Sequence, residues 1–135
     1  MPDLHDLVFS PRDAALLSAV VADWPARDAS ERAAADLLAD AIAGARLVGD
    51  RSVADVVALD TTVTYDEMPA GQRRTVTLVH PSRANASRAR VSVFAPVART
   101  LLGRRAGASV AARLPDQAIR ELRIVSVERD GVAPG

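Results

Sequence analysis

The chain has 135 residues, enough for one ordinary core or two small modules sharing an interface, and its 49% apolar but only 3% aromatic content calls for an aliphatic core. Without cysteine there is no disulfide framework or thiolate metal site, and no apolar run reaches the roughly eighteen residues that a membrane span needs. The zero net charge conceals a split: residues 1–67 hold 13 Asp and Glu against 5 Arg (−8), and residues 68–135 hold 4 against 12 (+8), with no Lys anywhere.

That split has two physical readings: halves that attract each other within one fold, or a basic face meant for an acidic protein or nucleic acid. Met1-Pro2-Asp3 lacks the basic start of a secretory signal, so a cytoplasmic protein is expected. Ser10-Pro11-Arg12-Asp13 then opens a helix: a side-chain cap, a proline at the first helical position and an acid facing the macrodipole. Ala14, Leu17, Val20 or Val21, and Trp24 recur at helical spacing until Pro25 stops the run. A second helix is expected from near Asp28, with Ala34, Leu37, Leu38, Ala41 and Ile42 on one face and its end between Gly44 and Gly49. A short link makes the two an antiparallel hairpin, a short coiled coil.

From Asp55 the period changes toward β. The sequence predicts strands over residues 56–65, 74–80, 90–94, 109–114 and 119–128, with a turn at 67–72, a polar loop over 81–87, another turn at Pro115-Asp116 and a fraying tail from Gly131. In the last strand Leu122, Ile124 and Val127 are expected inside, with Val125 opposite. A short helix over 96–102 starts on Pro96 and ends at Gly103. The fold class is therefore α+β: a helical hairpin domain (1–50) and a domain with an antiparallel sheet and one short helix (51–135).

Two places invite a functional reading. The first is the corner Phe94-Ala95-Pro96-Val97 with Arg99 one turn on, whose residues are also explained as a strand end, a helix start and core positions. The second is the hairpin tip, Asp23, Trp24, Arg27, Asp28 and Glu31. Asp28 and Glu31 present two hard oxygen donors three residues apart, the spacing of a helix capping box as much as of a Mg²⁺ pair. His5 and His80 are too few for a metal site, and no phosphate loop or nucleophile elbow occurs, so no catalytic residue, metal or cofactor is assigned and no enzyme is expected. Arg73-Arg74, Arg88, Arg90, Arg99 and Arg104-Arg105 could line a stripe for weak nucleic-acid contact or guard sheet edges.

The order strand, Ala95-Pro96, small-residue helix, Leu101-Leu102-Gly103, Arg104-Arg105, Gly107, strand resembles the C-terminal signature of the bacterial Gre transcript-cleavage factors and their relatives, the regulators of nucleoside diphosphate kinase (Rnk). The resemblance implies an FKBP-like topology and a partner, RNA polymerase, whose secondary-channel rim carries a helical protrusion gripped at this corner. By position, Phe94, Ala95, Pro96, Val97 and Arg99 become the binding candidates. Gre factors also carry an Asp and a Glu three residues apart at their tip, holding a Mg²⁺ in the polymerase active centre, and Asp28 and Glu31 match that spacing. Their hairpin, however, is about twice as long as the roughly 21 Å available here. The resemblance thus favours a monomeric regulator that docks on polymerase without driving cleavage. A cleavage-stimulating factor using Asp28 and Glu31, and a plain protein-interaction module, remain the alternatives.

Overall fold

The computed structural model describes residues 7–113 and 119–129; the expected turn at Pro115-Asp116 and the tail from Gly131 lie outside them. In chain order the elements are β1 (Val8–Phe9), α1 (Pro11–Asp23), α2 (Ala29–Gly44), β2 (Arg46–Leu47), β3 (Thr61–Met68), β4 (Gln72–Val79), β5 (Arg90–Ser92), α3 (Pro96–Leu101), β6 (Ser109–Arg113) and β7 (Ile119–Arg129). β3, β4, β5, β6 and β7 form one sheet in the order β5-β4-β3-β7-β6, while β1 and β2 pair in parallel as a separate ribbon.

The sheet is mixed, which corrects the antiparallel expectation. β5 runs parallel to β4, Thr77 opposite Arg90 and Val79 opposite Ser92. Residues 80–89 achieve this in two single 3-10 turns capped by His80 and Asn85, and Ala89 takes a left-handed φ of 55° before Arg90. The first long strand also begins later than its β-branched run suggests. Val56, Val57 and Ala58 are fully buried but lie before the strand. Val57 instead donates to the Arg104 carbonyl and accepts from Gly103, and Ala58 is held by the Thr61 hydroxyl. A buried apolar run without alternation does not distinguish strand from loop.

Once β3 starts, its alternation is regular: Thr61, Val63, Tyr65 and Glu67 are buried and their neighbours half-buried. In β7 the expected inward set of Leu122, Ile124 and Val127 holds, and its uneven spacing has a cause. The register with β3 slips between Thr64 and Tyr65, which face Ser126 and Ile124, so Val125 is the extra residue of a bulge. One buried cluster joins these strands to Phe9, to Leu17, Val20 and Leu38 of the helices, and to Ala98 and Leu101 of α3. Leu37, expected on the apolar face of α2, is exposed; Leu38 takes the buried position.

The first turn of α1 is pinned twice. Ser10 caps it by accepting from the Asp13 amide, and the buried Asp13 carboxylate receives both terminal nitrogens of Arg129, at 3.2 and 2.8 Å. Arg129 also donates to the Val53 carbonyl at 2.8 Å, so a single guanidinium fastens helix, connector and last strand. Removing it strands a buried carboxylate. Arg129→Ala should therefore lower unfolding free energy by about 2–3 kcal/mol in denaturant titrations, and adding Asp13→Ala should cost much less than a second loss of that size.

Tyr65 is the single tyrosine, and burial, helped by the Glu67 carboxylate, raises its phenol above the ordinary 10.0. A raised value means that the folded chain keeps its proton longer than the unfolded one, so stability falls as pH climbs above 10. Ultraviolet titration of the native protein should show phenolate appearing at higher pH than in denaturant, and Tyr65→Phe should remove this part of the alkaline loss.

Candidate docking corner

Ser92 ends β5 and shapes the turn that follows. Its hydroxyl accepts from the Phe94 amide (3.0 Å) and its carbonyl from the Ala95 amide (2.9 Å). Ala95 stays extended, as a residue before proline prefers, and Pro96 occupies the first turn of α3. Val93, Ala98 and Leu101 go into the core, so Phe94, Ala95 and Val97 are left half-buried and Pro96 exposed. At the far end of α3, Gly103 adopts a φ of 78°, and a Cβ there would sit 3.0 Å from the Leu7 Cβ and 3.2 Å from the Phe9 ring. Glycine is required both for the turn and for the close passage of the β1 segment.

Arg99 folds back over the corner, its Nε donating to the Phe94 carbonyl at 3.1 Å. Its guanidinium has no carboxylate beside it among the described residues, and burial alone moves its pKa, downward from the ordinary arginine value.

Trp24 joins this corner rather than standing at a free tip. It caps the C-terminal end of α1, and its ring lies 6.2 Å from Phe94 (tilted at 52°) and 5.9 Å from His80 (edge-on at 74°), centroid to centroid. The separation agrees with attractive aromatic pairs. His80 accepts from the amide and hydroxyl of Ser82 through Nδ1, which fixes its ring orientation. Sequence reading placed Trp24 with the tip and set His80 aside. The available signal was the proline after each: Trp24-Pro25 and His80-Pro81 force both aromatics to extended backbone just where their elements end.

Asp28 and Glu31 form a capping box at the start of α2. Asp28 Oδ1 accepts from the Glu31 amide at 2.8 Å, and Glu31 Oε1 accepts from the Arg27 amide at 3.0 Å. Asp23, Arg27 and Asp28 are exposed, and Glu31 is half-buried. Among the described residues no group of three or more His, Asp or Glu is arranged to hold a metal ion, and no helix is long and apolar enough to cross a membrane.

The basic stripe does not assemble as a free surface. Arg73 pairs with Asp66, Arg74 and Arg120 with Glu67, Arg83 with Asp60 and Arg105 with Asp55, joining the basic half of the chain to its acidic half. Arg73 holds the Asp66 carboxyl below its ordinary range. Arg88 and Arg90 remain exposed.

Residues 39–129 match the family model described as transcription elongation factor GreA/GreB, C-terminal, a stretch that contains the corner segment from Ser92 to Gly103 and the sheet beneath it, but not Trp24. The chain belongs to the GreA/GreB family. It is 38% identical over 66 residues to transcription elongation factor GreA of Geobacillus kaustophilus, which is 49% of this chain and 42% of that one. It is 35% identical over 81 residues to the regulator of nucleoside diphosphate kinase of Escherichia coli K12, 60% of each chain. The matches thus span about half the length of these curated relatives. Among solved structures, a GreA/GreB elongation factor from Nitrosomonas europaea superposes with a TM-score of 0.68 at 25% identity, covering 95% of this chain and 99% of that one. Gfh1 of Thermus aquaticus shares the fold, with a TM-score of 0.51 at 20% identity.

The capping arrangement gives a direct test. Asp28→Ala should lower stability by about 1 kcal/mol through loss of the α2 cap, read as a lower midpoint in thermal unfolding followed by far-ultraviolet dichroism.

Proposed function

We propose that this GreA/GreB-family protein is a non-catalytic transcription regulator of the Rnk type. It binds RNA polymerase at the rim of the secondary channel through Phe94, Ala95, Pro96 and Val97, with Arg99 behind them. The observation that carries the reading is this corner: an exposed proline flanked by half-buried apolar side chains, inside the stretch that matches the Gre C-terminal family. Rigid apolar anchors of this kind lose little entropy on binding.

The helices support a regulator over a cleavage factor. α1 has 13 residues and α2 has 16, about 20 and 24 Å at 1.5 Å per residue. Trp24 keeps the end of α1 against the corner instead of letting it project. Asp28 Oδ1 and Glu31 Oε1 are meanwhile engaged by backbone amides as the cap of α2. In this reading the protein acts in the cytoplasm as a monomer, takes no cofactor, and touches nucleic acid at most weakly, through Arg88 and Arg90. Its effect is competition with longer factors for one attachment point.

Immobilised chain should retain core RNA polymerase from solution, and Pro96→Asp should abolish retention while leaving the thermal midpoint in place. Added to backtracked elongation complexes, the chain should leave the rate of transcript cleavage unchanged. Faster cleavage that disappears in Asp28→Ala with Glu31→Ala would establish the cleavage-factor alternative instead.

A further inference from the structure

The corner contains more than its sequence segment. Trp24 arrives from the end of α1 and His80 from the end of β4, and the Trp24 ring lies against both Phe94 and His80. Just behind Phe94, the Arg99 side chain is tethered by Nε to that residue's own carbonyl. The remaining guanidinium N–H groups make no hydrogen bond to any described residue, and Arg99 is half-buried.

Arg73, Arg74, Arg83, Arg105 and Arg129 each lie against a carboxylate of the acidic half. Arg99 is held in place beside an apolar surface with no counter-charge among the described residues. A partly desolvated guanidinium with fixed orientation favours a planar acceptor, and a carboxylate matches its fork in two hydrogen bonds.

We propose that Trp24, His80, Phe94, Pro96 and Arg99 form one composite shelf whose occupant is a protein segment presenting an apolar side chain next to a carboxylate. The apolar side chain sits on the Trp24 and Phe94 rings with Pro96 at the edge, and the carboxylate pairs with the free fork of Arg99. The argument for this occupant is complementarity: the shelf offers aromatic area and one uncompensated positive charge. The proposal rests on the polymerase-docking reading and adds two things to it, the chemistry of the matching segment and a docking role for a residue of the helical layer. It makes Trp24 part of the recognition surface, so the placement of α1 decides whether the shelf is complete.

The test uses the full chain and core RNA polymerase. Affinity is measured by fluorescence anisotropy of a dye-labelled chain across a range of salt concentrations. Arg99→Gln should weaken binding by about tenfold at low salt and flatten the salt dependence, as expected for loss of one interfacial ion pair. Arg99→Lys should keep the salt dependence while binding less tightly, because it retains the charge and loses the fork. Phe94→Ala should weaken binding with the salt dependence unchanged.

Trp24 is the single tryptophan, so a chain made with fluorinated tryptophan gives one fluorine resonance, which should shift when unlabelled polymerase is added. That readout needs no substitution and so is independent of whether a Trp24 variant folds. Wild-type binding with Arg99→Gln unchanged in affinity and salt dependence, or with an unmoved tryptophan resonance, would overturn the shelf and leave docking at the corner standing. Absence of any polymerase binding by the wild type would remove the docking reading and the shelf with it.

Discussion

The helical layer buries little apolar surface of its own, so its position depends on the contact between Asp13 and Arg129. Only Leu17, Val20 and Leu38 are fully inside among the apolar residues of α1 and α2. A stripe that narrow resists sliding and rotation weakly, whereas a two-pronged ion pair between the first turn of α1 and the last described residue of β7 fixes both. With its start pinned there and its length set at 13 residues, α1 ends where Trp24 meets Phe94 and His80. The geometry of the corner is thus decided about 20 Å away, at the opposite end of a helix.

The same pair gives physical meaning to the charge division of the chain. An acidic first half and a basic second half suggest either an external acidic partner or mutual attraction. Among the described residues, most ion pairs join an acid before residue 68 to an arginine after it: Asp13 with Arg129, Asp55 with Arg105, Asp60 with Arg83, Asp66 with Arg73, and Glu67 with Arg74 and Arg120. Most are at the surface and contribute little each. Their collective effect is on specificity: they oppose alternative placements of the two halves.

Local signals in the sequence were legible where the chemistry is local. Ser10 with Pro11, Asp28 with Glu31, and Pro96 with Gly103 each mark a helix boundary through caps and fixed dihedrals, and each stands within a residue or so of its expected place. The family signature around Pro96 was legible for the same reason. What escaped was set by partners far along the chain. The parallel docking of β5 on β4 depends on a ten-residue loop whose turns come from His80 and Asn85 caps rather than glycine. The late start of β3 depends on Val57 finding its hydrogen bonds at the exit of α3. The contact of Trp24 with Phe94 needs the fold of both halves, and no window of sequence contains it.

The strand order carries a consequence for how the protein comes into being. β7, the last described strand, lies between β3 and β6, so it completes the sheet from the inside rather than extending its edge. During synthesis β3, β4 and β5 can associate early, but the flank of β3 that receives β7 stays open until β7 itself has been made. Closing that gap joins Thr61 to Arg129, a long-range pairing that is entropically slow to form. From the completion of β3 at Met68 until β7 is made, the nascent chain carries an unsealed β edge, and the arginine that completes the seal is the one that locks the first helix down.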